Sequence, residues 1–150
     1  MNDDMIVVQA ELGNSGTASE MIVDTGAQQS VISVPLAKAL NLLDHLDQSA
    51  RGVASGVGRA RILGRLRGVP ARLGTKTGVE FALDFIVLDV REELLMLGID
   101  QLRRFQCIID LQRNCLLFGG HGGSEVDFMP MQRRLRVSLR ELCPVMYIQT

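Results

Sequence analysis

The tripeptide Asp24-Thr25-Gly26 restricts what this chain can fold into more than any other feature. It follows the apolar run Met21-Ile22-Val23, precedes Ala27, and is the only Asp-Thr/Ser-Gly in 150 residues. An apolar run stopped by an acid and a glycine reads as a buried strand ending at a tight turn. A carboxylate placed there can be held still and partly desolvated, which hydrolysis by an activated water requires. One copy is half of such a device. Two carboxylates brought close together cannot both ionise readily, so they share a proton, one serving as base and the other as acid. With no internal repeat to supply the second acid, a homodimer in which Asp24 is contributed twice is the first expectation. The plain alternative is a β-turn with a solvated Asp.

Context favours the catalytic reading. About seventy residues later, Leu95-Met96-Leu97-Gly98 is a second apolar run ending in glycine. Two apolar strands that cross and pass close at a glycine make a scaffold for an immobile carboxylate.

Size and composition set limits on function. A chain of this length fits one domain, and 47% hydrophobic content supplies a core without disulfide or metal staples. The net charge of −1 gives no electrostatic reason to expect nucleic acid or an anionic membrane as partner. Aromatics are 4% with no Trp, which does not suit a stacking platform for single strands. Apolar stretches are far shorter than a membrane span, and the acidic start Met1-Asn2-Asp3-Asp4 is unlike a secretory leader. A soluble protein is expected. Cys107, Cys115 and Cys143 lack metal-ligand spacing and read as free thiols, mostly small buried hydrophobes, of a reducing cytoplasm or nucleus.

The element pattern is mostly β. Strands are expected over Ile6–Leu12 and Ser19–Val23, joined by the turn Gly13-Asn14-Ser15-Gly16, and over Val31–Ser33. A short helix should follow from Val34 to Leu40, capped by Ser33, with Pro35 in its first turn and Asn41 as its stop. Between Arg51 and Arg67 the Gly-spaced segment reads as a mobile hairpin. Val69–Leu73 and Val79–Leu88 read as two more strands around a polar turn, and Leu94–Leu97 as a strand buried on both faces. Asp100 is expected to cap a helix over Gln101–Phe105, ahead of a hairpin of Cys107–Leu111 and Cys115–Phe118. Gly119–Gly123 reads as a flexible loop. The domain is expected to cover residues 5–130, and 131–150 to form a tail that is a strand, an amphipathic helix or disordered.

These residues resemble the retroviral-type aspartic proteases, the retropepsins, and within them the retropepsin-like domain of the DNA-damage-inducible protein 1 family of ubiquitin shuttles. The likeness covers roughly residues 5–130. It is carried by Val23-Asp24-Thr25-Gly26-Ala27-Gln28, by residues 52–58 with Ile62-Leu63-Gly64-Arg65, and above all by the run from Leu97 to Leu111. Phe128-Met129-Pro130 resembles the end of that domain. The resemblance implies a closed β-barrel with one or two short helices, paired as a symmetric homodimer. Asp24 would be catalytic, with Thr25, Gly26 and Gly98 supporting it. Segment 52–64 would be a flap closing on an extended peptide, with Ala27, Gln28, Ser55, Gly56, Val57 and Gly58 as substrate-binding residues. The implied activity is peptide-bond hydrolysis without cofactor or metal. Implied partners are a second copy and polypeptide substrates, ubiquitinated proteins among them, with no nucleic acid or membrane.

The chain departs from the retroviral pattern at two places. Gln28 and Ile99 stand where an Asp and an Arg commonly pair to brace the dimer, so the interface is expected to use other contacts, such as terminal strands. The 150 residues also hold no recognisable ubiquitin-like or ubiquitin-associated domain, as in a fragment of a longer protein or a member without them.

Other chemistries fit less well. The Gly-rich segment lacks a Gly-Lys-Ser/Thr and a following helix, so it is a poor phosphate loop. His45 and His121 lie in polar or Gly-rich surroundings and read as surface residues, not members of a nucleophilic triad. Arg103-Arg104 and Arg133–Arg136 read as solvated charge, the latter with a partner or localisation receptor as its alternative. Among non-enzymatic readings, a weakly active or inactive retropepsin-fold module that binds peptides or scaffolds a ubiquitin receptor is the runner-up.

Overall fold

The computed structural model of the chain describes residues 5–49, 51–55, 59–74 and 79–129. Strands β1 (Ile6–Leu12) and β2 (Ala18–Val23) form the expected hairpin, with Val7 opposite Ile22 and Val8 opposite Met21. β3 (Val31–Ser33) runs into helix α1 (Val34–Ala39), whose first turn holds Pro35. Asn41 stands just beyond it with φ 59°, a left-handed conformation Asn tolerates better than most residues. Ser33 precedes the helix as expected but does not cap it with its side chain. Buried beside Leu94, its hydroxyl accepts that residue's N–H at 2.8 Å instead.

After a 3-10 turn at Leu43–His45, β4 (Gly52–Ser55) and β5 (Arg59–Leu73) form the arms of the Gly-spaced hairpin. Its tip, Gly56-Val57-Gly58, lies outside the described residues. β5 is one strand of 15 residues, where a hairpin arm and a separate strand from Val69 were expected. Two shifts of register against β6 (Glu80–Leu88), between Ile62 and Gly64 and between Leu66 and Val69, bend it without ending it. Glycines that resemble breaks in the sequence mark irregularities in one continuous ladder.

β7 (Leu95–Leu97) lies between β2, to which it is parallel, and β3, to which it is antiparallel, and it is buried throughout. Helix α2 (Ile99–Arg104) starts directly after Gly98, so Asp100 sits inside its first turn and does not cap it. β8 (Ile108–Asp110) and β9 (Cys115–Phe118) form the last expected hairpin, its turn held by the Asp110 carboxylate accepting the N–H groups of Gln112 and Arg113. A further strand, β10 (Ser124–Asp127), pairs with β9 and was not expected, because its single apolar residue, Val126, shows no alternation. Gly119–Gly123 is the turn between them and not a free loop, tied by Gly119 N–H to the Phe105 carbonyl at 3.0 Å.

The large sheet runs β1-β2-β7-β3-β6-β5, and β5 returns to β1 through Ala10–Leu73, Glu11–Arg72 and Leu12–Ala71. Six strands thus close a barrel, with β4 paired outside it on β5. This is the mostly β closed barrel that the resemblance implied, with two short helices where one or two were expected. Side-chain alternation builds two apolar clusters on opposite faces of the same strands. Val8, Met21, Val23, Ile32, Phe85 and Leu97 belong to one, while Val7, Ile22, Val31, Ile86 and Met96 belong to the other, together with Ala27 and Ile62. Phe81, Phe105 and Phe118 pack ring against ring at 4.3–5.6 Å between centroids, tying the end of α2 to β6 and β9. Cys115 is buried and Cys107 half-buried, burial pushing the Cys107 thiol up to about 11; both are free, and Cys143 lies outside the described residues.

Candidate active site

Asp24 stands at the end of β2 because the parallel neighbour β7 ends beside it: Asp24 N–H donates to the Leu97 carbonyl at 3.0 Å. The turn then closes on itself. Gly26 N–H donates to Asp24 Oδ1 at 2.8 Å, and Ala27 N–H to the Asp24 carbonyl at 3.2 Å. Asp24 is half-buried, whereas Thr25, Gly26 and Gln28 are exposed and Ala27 is buried in the second apolar cluster. The loop therefore presents an anchored carboxylate on an open face.

The second motif clamps this loop from behind. Ile99 N–H donates to the Ala27 carbonyl at 2.8 Å. A Cβ on Gly98 would lie 2.8 Å from the carbonyl oxygens of Ala27 and Gln29, so the approach admits no side chain. Ser30, fully buried, completes the brace: its hydroxyl accepts Gly98 N–H at 2.8 Å and donates to Asp100 Oδ1 at 2.7 Å. Gln101, also buried, extends it, donating to Asp100 Oδ2 at 3.4 Å and accepting Asp84 N–H at 3.2 Å.

A second link reaches the flap arm. Arg65 on β5 donates from Nη2 to Gln29 Oε1 at 3.1 Å, and its backbone exchanges hydrogen bonds with Asp47 at 2.9 and 3.0 Å. Gly64 makes that exchange possible, since a Cβ there would lie 2.4 Å from the Asp47 carbonyl oxygen.

Of the residues expected from sequence, Asp24, Thr25, Gly26, Ala27, Gln28 and Gly98 converge on one loop. Ser55 closes β4 opposite Arg59, and Gly56, Val57 and Gly58 lie outside the described residues. Ser30, Gln29, Arg65 and Gln101 were not foreseen, and Asp100 was foreseen in another role. Ser30 follows the polar pair Gln28-Gln29, and nothing in the local pattern marks it as the brace. Among the described residues, no group of three or more His, Cys, Asp or Glu could hold a metal ion, and no helix is long and apolar enough to cross a membrane.

A closed barrel whose Asp-Thr-Gly turn is clamped by an apolar strand ending in glycine defines the aspartyl protease class, and the aspartyl protease family model matches residues 2–110. The chain is 35% identical over 125 residues to Protein DNA-DAMAGE INDUCIBLE 1 of Arabidopsis thaliana, covering 83% of this chain and 29% of that protein. It is equally similar over the same length to the UBA domain-containing protein Mud1 of Schizosaccharomyces pombe, covering 83% and 35%. The crystal structure of the retroviral protease-like domain of Ddi1 from Leishmania major superposes with a TM-score of 0.73 at 32% identity, over 88% of this chain and 99% of that one. The chain belongs to the aspartyl protease family, and within it to the retropepsin-like domains of the DNA-damage-inducible 1 group. It spans 29% and 35% of the length of those two curated relatives.

Proposed function

We propose that the chain is an aspartic endopeptidase that works as a homodimer, each copy contributing Asp24. The observation that carries this reading is the braced loop: the carboxylate is anchored through its backbone and Oδ1, while Thr25 and Gly26 beside it face outward. A symmetric partner set against that face would bring the second Asp24 opposite the first, with Thr25 of each copy crossing the axis. The pair would then hold one proton between two carboxylates, the known arrangement of aspartic proteases as a class. The ionised Asp24 removes a proton from the bound water, which attacks the peptide carbonyl, and the protonated Asp24 stabilises the resulting gem-diol. Collapse passes a proton to the leaving amine. No acyl-enzyme forms.

The flap arms β4 and β5 carry backbone groups suited to receiving substrate as an added strand. Ubiquitinated proteins are the proposed substrates, supported by the ubiquitin-associated domain in the name of the Mud1 relative. Cytoplasm and nucleus are the proposed locations. The test is incubation of the protein with unfolded and polyubiquitinated polypeptides, beside Asp24→Asn. Wild type is expected to cleave and Asp24→Asn to lose cleavage while keeping its fold and assembly. Equal turnover by the two would overturn the mechanism; cleavage by neither, with peptide binding by both, would assign a peptide-binding module instead.

A further inference from the structure

Arg65 occupies an unusual electrostatic position. Arg61, Arg67, Arg72, Arg104 and Arg113 each sit on a carboxylate, those of Asp89, Asp47, Glu11 with Glu80, Asp84 and Glu125 respectively. Among the described residues Arg65 has no carboxylate within ion-pair distance. Arg51, Arg91 and Arg103 also lack an ion-pair partner among the described residues, but they are exposed, whereas Arg65 is half-buried. Its side-chain partner is the neutral amide of Gln29. The nearby Asp47 carboxylate is already occupied, accepting the Ser49 hydroxyl at 2.6 Å and Ser49 N–H at 3.0 Å and pairing with Arg67 at 3.5 Å.

The position of this cation matters as much as its lack of a counter-ion. Its backbone belongs to the strand that forms the flap's returning arm, and its guanidinium rests on the loop that carries Asp24. It therefore links the loop that carries Asp24 to the root of the flap. A half-buried guanidinium with a neutral hydrogen-bond partner has given up part of its hydration, and the Asp47 carboxylate acts on it only from beyond ion-pair distance. Its planar fork holds five donors, and Gln29 takes one of them. Gln28 and Gln29 bring no charge to this part of the site, whereas Arg65 brings a cation to it.

From this we infer that Arg65 is a specificity residue, selecting substrate peptides that carry Asp or Glu at a position flanking the scissile bond. The inference rests on the peptidase reading for its location and deepens it. The substrate carboxylate supplies the missing counter-charge through a forked pair, and Gln29 orients the guanidinium to receive it.

The test uses extended peptides matched in every residue except that one flanking position at a time carries Glu or Gln. At one position, wild type is expected to cleave the Glu peptide about three- to tenfold better in kcat/KM, the range of a partly exposed ion pair. The ratio should fall toward unity at high salt. Arg65→Gln should abolish it, and Arg65→Glu should shift preference toward Lys. Gln29→Glu should also abolish it, although Arg65 remains, because the new carboxylate occupies the guanidinium; a merely structural Arg65 would not respond in this way. The same peptides are ranked by fluorescence anisotropy on Asp24→Asn protein, which reads binding without cleavage. Cleavage with no Glu/Gln preference at any position overturns the inference and leaves the peptidase reading standing. Ranked binding with no cleavage by wild type does the reverse, and neither cleavage nor ranked binding overturns both.

Discussion

The hydroxyl of Ser30 accepts from the end of β7 and donates into α2, so one buried oxygen joins segments about seventy residues apart. Ser30→Ala would leave the Gly98 N–H buried without its acceptor and the Asp100 carboxylate without its donor. The expected loss is about 1–3 kcal/mol of unfolding free energy, the cost of orphaning a buried polar group. Urea unfolding checks this, and an unchanged midpoint would mean that another acceptor takes over. Gly98 was legible because its approach to Ala27 and Gln29 admits no side chain, and Asp24 because an apolar strand stopping at an acid and a glycine puts it at the end of β2. Ser30, Gln29 and Arg65 were not, because their meaning lies in partners that only the closed barrel brings near.

At the scale of elements, the flap is anchored where Gly64 lets the backbone of Asp47 approach β5. Gly64→Ala would push Asp47 away, break the exchange with Arg65 and loosen the flap's root. The expected destabilisation is about 1–3 kcal/mol, as for other overpacking substitutions. Hydrogen exchange should quicken at the amides of Asp47 and Arg65 in particular; unaltered protection there would count against the anchor. β1, β2, β3 and α1 were legible in the sequence, since apolar patterning and turn residues agreed at each boundary. β5 was read as two pieces because glycine signals both a break and a bulge, and only pairing with β6 separates them. β10 was invisible for a different reason. Its strand character comes from β9, not from its own residues.

For the molecule as a whole, the proposed pair of half-sites in one particle would make activity depend on assembly. Mixing wild type with an equal amount of Asp24→Asn, after exchange of subunits, is expected to leave about one quarter of the particles with both acids, so total activity should fall to about half that of the same wild-type protein unmixed. Raising the mutant further should drive activity down with the square of the wild-type fraction, counted per total protein. A strictly linear dependence on wild-type fraction would show that each copy works alone. Native mass spectrometry on the same mixtures, with one of the two proteins isotopically labelled, confirms that exchange has occurred.

The seam that completes the cylinder has a consequence for how the chain comes to exist. It joins Glu11 to Arg72, residues 61 apart in sequence, through three opposed pairs and an ion pair. A nascent polypeptide that has not yet emerged as far as Leu73 has nothing to set against the edge of β1 that β2 leaves free. That edge is then left as a raw margin, open to pairing with a stranger.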